Sequence, residues 1–337
     1  MAETSPPNHN ELRDSFGRSI TYLRMSVTDR CDFRCRYCMD ETPQFLPRAK
    51  VLSLEELALV GRAFVGMGVN KIRLTGGEPL VRRDVLWLVE QLGALDGLKD
   101  FAMTTNGSQL TRVAQPLKAA GLQRLNVSLD TLDAANFRDL TRVGVLEKVL
   151  AGIDSALAAG FRRIKINAVM MKGFNDHQIL PLLAYVLERN MDISFIEEMP
   201  LGVVHDHDRK TAFMSSREIR EKIAAHYELL ATTASTGGPS RYWQIPGHAS
   251  RIGFISPHSE NFCAQCNRVR LTAEGKLLLC LGHEHAIDLR AVTREHPGSV
   301  TAIQQAVYAG IHHKPERHEF SHEPEVKVLR YMHHTGG

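Results

Sequence analysis

The stretch CDFRCRYCM, residues 31–39, decides how the rest of the chain is read, because it gathers three cysteines into one short loop. Cys31, Cys35 and Cys38 stand in a C-x3-C-x2-C spacing. Three soft thiolates so placed can hold three irons of a four-iron cluster and leave the fourth iron without a protein ligand. An open metal position points to catalysis, since a substrate or cosubstrate can occupy it. Zinc is the rival reading. No histidine falls between His9 and His177, so a tetrahedral zinc site would have to recruit Asp32 or Asp40. The other three cysteines, Cys263, Cys266 and Cys280, form C-x2-C-x13-C, and none of the six is left over. Two odd-numbered groups suit metal coordination better than disulfide pairing, which a reducing cytosol disfavours. For the second group a Cys3His zinc ribbon completed by His283 stays open on spacing alone.

Outward from the first cysteines, short Val/Ile/Leu/Phe-rich runs alternate with helical periodicity. Strands are expected at Ile20–Val27, Lys71–Leu74, Asp100–Thr104, Arg124–Leu129, Arg163–Met170 and Asp192–Glu197. Helices are expected at Ser53–Met67, Asp84–Leu95, Leu146–Ala159 and Asp176–Glu188, the first opened by a Ser53/Glu56 capping box. Six strands joined by helical crossovers imply parallel pairing. Candidate chemistry recurs after successive strands, at Cys31, Gly76–Glu78, Thr104–Asn106, Ser128–Asp130 and Met199. That recurrence favours an α/β fold, an incomplete (β/α)6 TIM-type barrel whose strand-following loops share one rim, with a C-terminal extension that carries the second cysteine group. Beyond the Thr/Ser/Gly-rich run Thr232–Ser240, short strands at Arg241–Ile245 and Arg251–Phe254 and a helix near Val300–Gly310 are expected. The expected organisation is a flexible tail over residues 1–16, a core barrel over 17–235, and a C-terminal region over 236–337 that holds the second cysteine group.

The chain has 41 basic and 38 acidic side chains, too nearly balanced to announce a nucleic-acid binder. The start, MAETSPPNHNELRD, lacks an apolar signal core, and no run reaches the length of a membrane span. The expected compartment is therefore the cytoplasm, with no membrane partner. Eleven of the 16 histidines lie beyond residue 236. His312, His313, His318 and His322 read as a solvated tail and are assigned no metal.

The cysteine loop, with Tyr37 before its last cysteine, and TGGEPL at Thr75–Leu80 resemble the two signatures of radical S-adenosylmethionine (SAM) enzymes. The string FCxxCNRxRLTxxGKLxxCL around the second trio closely resembles the C-terminal cluster segment of the GTP 3′,8-cyclase family, which catalyses the first step of molybdenum cofactor biosynthesis. The likeness runs from DSFGRSITYLRMSVTDRC to the terminal Gly336–Gly337. It implies two [4Fe-4S] clusters, with residues 236–337 as a C-terminal iron–sulfur cluster-binding extension that also binds GTP, and it implies SAM as cosubstrate and GTP as substrate. It implies further that Tyr37, Gly77, Ser128 and Met199 line the SAM site. Arg24, Arg73, Thr104, Lys165, Arg268 and Arg270 would contact GTP, and Lys71 is a further candidate for its phosphates. The Gly336–Gly337 tail would enter the active site. An electron donor and a downstream cyclic pyranopterin synthase are implied partners, and a homodimer is left open.

Several inward charges on strands fit a triphosphate ligand, which needs several cations. The bland account pairs Arg73 or Lys165 with an internal acid such as Glu197. Ser194 departs from the family, standing where an arginine is often found; Arg162 and Arg163 are nearby candidates to restore the charge. Two rival functions are carried: another radical SAM enzyme with an auxiliary cluster acting on a peptide or metabolite, and a zinc- or cluster-stabilised binding module for nucleic acid.

Overall fold

Strand and helix alternate through most of the chain in the computed structural model, which describes residues 11–203, 206–320 and 328–336. The core strands are β1 (Tyr22–Ser26), β2 (Lys71–Thr75), β3 (Asp100–Thr105), β4 (Arg124–Ser128), β5 (Ile164–Met170) and β6 (Asp192–Glu197). Between them run α1 (Leu54–Gly66), α2 (Val85–Gly93), α3 (Leu110–Ala119), α4 (Ala134–Thr141), α5 (Leu146–Ala158) and α6 (Ile179–Glu188). The predicted capping box is present: Ser53 accepts from Glu56 N while the Glu56 side chain accepts from Ser53 N. Two helices escaped the periodicity reading. In α3 an internal Pro116 breaks the sequence signal, and α4 is short and largely polar.

All six core strands pair in parallel, in sequence order. Outward side chains such as Leu23, Ile72, Met103, Val127 and Ile166 are fully buried under the helices. At about 25 cal/mol per Å² of apolar surface, that layer is the main favourable term of the fold. Inward positions are mostly polar, among them Arg24, Arg73, Thr104, Asn126 and Lys165. The alternation is what a barrel interior carrying a site requires.

The chain beyond β6 continues through α7 (Arg209–Ala212), α8 (Ser216–Ala224), β7 (Leu230–Ala231), β8 (Arg241–Gln244), β9 (Arg251–Ile255), β10 (Arg268–Leu271), β11 (Lys276–Leu278) and β12 (Ala286–Asp288). It ends with α9 (Leu289–Glu295), α10 (Val300–Gly310) and the short α11 (Met332–Thr335). Among the described residues the sheet has 12 strands in the order β12-β11-β10-β1-β2-β3-β4-β5-β6-β9-β8-β7. Consecutive strands β9 and β10 thus sit at opposite margins of the core, each parallel to its neighbour, β9 beside β6 and β10 beside β1. The link between them must cross the open side of the barrel, and it carries Cys263 and Cys266.

The tail expected over residues 1–16 is shorter than predicted. Leu12 is fully buried, Arg13 bridges Ser19, and Asp14 accepts the Arg18 guanidinium at 2.6 Å; residues 1–10 lie outside the described residues. Arg18 also donates to the carbonyls of Cys263 (2.9 Å), Glu316 (2.6 Å) and Pro315 (2.7 Å). It joins the start of the chain, the second cysteine segment and the C-terminal segment. Arg18→Ala leaves the buried Asp14 carboxylate without its cation, and should lower stability by about 3 kcal/mol in urea unfolding.

Candidate active site

One cavity is lined by all six cysteines, Cys31, Cys35 and Cys38 from the loop after β1, and Cys263, Cys266 and Cys280 from the crossing segment and the end of β11. Two trios more than two hundred residues apart in sequence therefore face a common chamber. Among the described residues, no three His, Cys, Asp or Glu side chains converge tightly enough to hold a single metal ion. His283, the fourth ligand of the zinc-ribbon reading, instead bonds the Arg317 carbonyl at 3.1 Å.

The donor chemistry fits a cluster at each trio. Burial pushes the thiols of Cys31 and Cys35 well up, and Cys38 to about 12, so a bound cation is what would make them thiolates. Burial alone would raise Cys266 too, but Arg268 and Lys314 outweigh it and lower that thiol. Backbone N–H groups already point at sulfur, from Phe33 to Cys31 (3.3 Å) and from His318 to Cys263 (3.5 Å). Such bonds favour a charged sulfur and tune a cluster.

The Gly76–Gly77–Glu78 turn lies against the cysteine loop. Gly77 N donates to Thr28 O (2.8 Å) and Glu78 N to Arg30 O (2.8 Å). A Cβ at Gly77 would meet Arg30 O at 2.4 Å and Asp29 O at 2.7 Å, so only glycine fits. Glu78 is fully buried and accepts from Thr105 Oγ1 (2.8 Å), Leu80 N (2.9 Å) and Asn106 N (2.6 Å). Asn106 in turn donates to Asp32 in the cysteine loop at 2.6 Å. Glu78 therefore works as a tie between the loops after β2, β3 and β1. Tyr37 donates to Asp130 at 2.7 Å, and Tyr37, Gly77, Ser128 and Met199 all line the chamber.

The floor is cationic. Cross-strand register puts Arg270 beside Arg24 and Arg24 beside Arg73, in one row over β10, β1 and β2. Like charges so placed repel, and burial adds to the cost. Burial, with Arg73 and Arg268 nearby, lowers Arg24 to about 10, and burial with Arg24 and Arg268 takes Arg270 well below its usual range. Lys165 and Thr104 complete the lining, with Arg73 donating weakly to Thr104 at 3.5 Å and Lys165 to Tyr242 OH at 3.3 Å. Glu197 does not neutralise them: its oxygens accept from Ser216 N (2.9 Å), His258 N (3.0 Å) and Ser259 N (3.2 Å). Lys71 pairs with Asp100 at 3.1 Å and bonds to Thr236 O.

Ser194 is fully buried and bonds Ser240 at 2.9 Å. The Thr232–Ser240 run is therefore a strap under the barrel, with Thr236, Gly238 and Pro239 in the chamber wall. Arg162 and Arg163 are exposed and do not replace a cation here. Gly336 is buried, and its carbonyl accepts from Arg270 at 2.5 Å; Gly337 lies outside the described residues. His318, read as part of a solvated tail, instead lines the chamber between Phe262 and Phe320; His322 lies outside the described residues. Sequence reasoning missed Tyr22, Asn126 and Asn167, also in the lining. The available signal was a polar side chain at an inward position of an otherwise apolar strand.

His333 in α11 is buried against Phe45, Tyr331 and His334. Burial, with His334 beside it, lowers its imidazole from 6.5 to about 3. The released tail therefore binds a proton more readily than the docked one. Docking is fully favoured above the ordinary histidine pKa and weakens as pH falls towards the docked value. Amide protection factors in residues 328–336, corrected for the intrinsic exchange rate, should fall from about pH 7 to pH 5; His333→Phe should remove the His333 share of that dependence and leave that of His334, whose imidazole burial also lowers.

Residues 25–186 match the family Radical SAM superfamily, and residues 191–320 match Molybdenum Cofactor Synthesis C. Among solved structures, SuiB of Streptococcus suis bound to S-adenosylmethionine superposes with a TM-score of 0.58, at 16% identity, over 94% of this chain and 78% of that one. That likeness supports the fold. GTP 3′,8-cyclase of Saccharophagus degradans is 57% identical across 98% of this chain and 99% of the relative. The same enzyme of Ectopseudomonas mendocina is 56% identical across 97% and 99%. With both halves matched and more than half of all positions shared along its whole length, the chain belongs to the GTP 3′,8-cyclase family of radical SAM enzymes.

Proposed function

We propose that the two trios hold two [4Fe-4S] clusters and that the cationic floor between them receives GTP. The chain is a radical SAM enzyme that converts GTP to (8S)-3′,8-cyclo-7,8-dihydroguanosine 5′-triphosphate, the first step of molybdenum cofactor biosynthesis. The observation that carries the site assignment is the single chamber containing both trios and a row of buried arginines.

Cys31, Cys35 and Cys38 would hold a cluster that, when bound and reduced, would supply the one electron needed to cleave SAM to methionine and a 5′-deoxyadenosyl radical, the agent that would take hydrogen from the GTP ribose. Tyr37, Gly77, Ser128 and Met199 would hold SAM, with the Gly77 backbone free of any side chain that would block close approach. Arg24, Arg73, Lys165, Arg268 and Arg270 would neutralise the triphosphate and fix the purine, with Thr104 adding a hydroxyl contact. Lys71, already paired with Asp100, would serve mainly to hold the strap. Holding both reactants in a closed chamber supplies proximity and keeps water from a reactive radical. Gly336 would bring the tail's backbone to the reacting nucleotide through Arg270. Identity at this level over the full chain favours GTP over a peptide or other metabolite. An electron donor and a cyclic pyranopterin synthase acting on the product are the expected partners, in the cytoplasm; no helix among the described residues is long and apolar enough to cross a membrane.

Anaerobic reconstitution followed by reaction with SAM, GTP and dithionite tests the reading. The expected result is about eight irons per chain, with 5′-deoxyadenosine and cyclised nucleotide formed together. Zinc in either trio, or 5′-deoxyadenosine without cyclised nucleotide, would contradict it.

A further inference from the structure

After α10 the chain turns at Ile311 and sends one lysine inward. Lys314 is about 2% exposed, among the most deeply buried large side chains of the protein. Its ammonium has three N–H donors. They meet Leu279 O at 2.5 Å, Arg268 O at 3.1 Å and Cys266 Sγ at 3.6 Å. No carboxylate pairs with it among the described residues. A buried ammonium satisfied only by neutral carbonyls and a thiol is costly, because its charge lacks a counterpart. The two carbonyls are also informative by position. Arg268 lies two residues after Cys266, and Leu279 immediately precedes Cys280. The ammonium thus grips the backbone beside two members of the trio while facing the sulfur of one.

We propose that Lys314 is the built-in countercation of a cluster at Cys263, Cys266 and Cys280, donating one N–H to the Cys266 sulfur and fixing the backbone beside Cys266 and Cys280. The inference rests on the two-cluster reading above. A cluster held by three thiolates is anionic and supplies the charge that Lys314 lacks. Hydrogen bonds to sulfur and net charge both set cluster potentials. A cation this close favours the more negative, reduced state, so its removal lowers the potential. Lys314 is a positioning residue, acting on the cluster through its ligand.

The test uses the full chain carrying Cys31→Ser, Cys35→Ser and Cys38→Ser, which leaves only the second site, reconstituted anaerobically and titrated with dithionite under EPR. Lys314→Met keeps the length and loses the charge; Lys314→Arg keeps the charge. In the Met variant the reduced-to-oxidised ratio at a fixed potential should fall at least tenfold, about 59 mV for one electron, and in the Arg variant it should change far less. Loss of iron from the Met variant with retention in the Arg variant also supports the proposal. An unchanged potential in an iron-replete Met variant overturns it. Loss of iron, or misfolding, in both variants overturns it as well, since the lysine stem rather than its charge would then matter. Should the background protein with Lys314 intact bind no iron, the two-cluster reading fails and takes this inference with it, a result distinguished by that iron count.

Discussion

A Cys35→Ala enzyme is expected to release no 5′-deoxyadenosine from SAM, while a Cys263→Ala enzyme continues to cleave SAM and forms no cyclised nucleotide. The two trios lie in one chamber but on different parts of the fold, the loop after β1 and the segment crossing between β9 and β10. Removing one thiol from either trio leaves two, too few to hold three irons of a cluster. Each variant should therefore keep about four of eight irons. Loss at Cys35 removes the electron source for SAM and stops everything downstream. Loss at Cys263 spares that source but removes the second proposed cluster, on the far side of the cationic floor that would receive GTP, and so disturbs how the nucleotide is held. Iron analysis and chromatography of the products separate the cases, and normal cyclisation by Cys263→Ala would discard the role assigned to the second trio.

Gly336→Ala should lower the rate of cyclisation about a hundredfold, the scale on which a displacement of about 1 Å disturbs an oriented reaction. Gly336 has φ +78°, a conformation that L side chains rarely adopt, and a Cβ there would meet Thr75 Oγ1 at 2.0 Å and Thr75 Cβ at 2.8 Å. Thr75 ends β2 and leads into the Gly76–Gly77 turn, so it has little freedom to retreat. The tail must move instead, and its bond to Arg270 breaks. SAM cleavage measured without cyclisation should persist, because the first trio is untouched. Equal loss of both activities would show that the tail acts on the cysteine loop rather than on the nucleotide.

Much of the barrel was legible because its strands obey a local rule. Asp192–Glu197 and Val300–Gly310 were read to the residue, and the other expected core strands lie within two residues of the observed limits. The inward charges Arg24, Arg73 and Lys165 were legible for the same reason, as polar residues alternating with apolar ones. Periodicity does not carry pairing between distant segments. Nothing in RIGFI announces that β9 lies beside β6, nor in RVRL that β10 lies beside β1, and the row Arg270–Arg24–Arg73 exists only through that pairing. The motif TGGEPL was visible, but the tie from Glu78 to Thr105 and Asn106 was not, since it depends on two loops meeting across the rim. Lys314 and the Ser194–Ser240 bond were hidden likewise; a lysine near several histidines reads as surface until the chain is folded around it.

The seam between β9 and β10 has a consequence for synthesis. A ribosome delivers β1 to β6 first, and until residues 251–271 emerge both outer strands of that nascent sheet have unsatisfied amides and carbonyls, each a template for self-association. The polypeptide that later protects both flanks is the same one that bears Cys263 and Cys266. Maturation of the metal site and protection from aggregation are thus entrusted to one late-arriving stretch, and truncation before it should yield insoluble protein rather than a smaller working barrel.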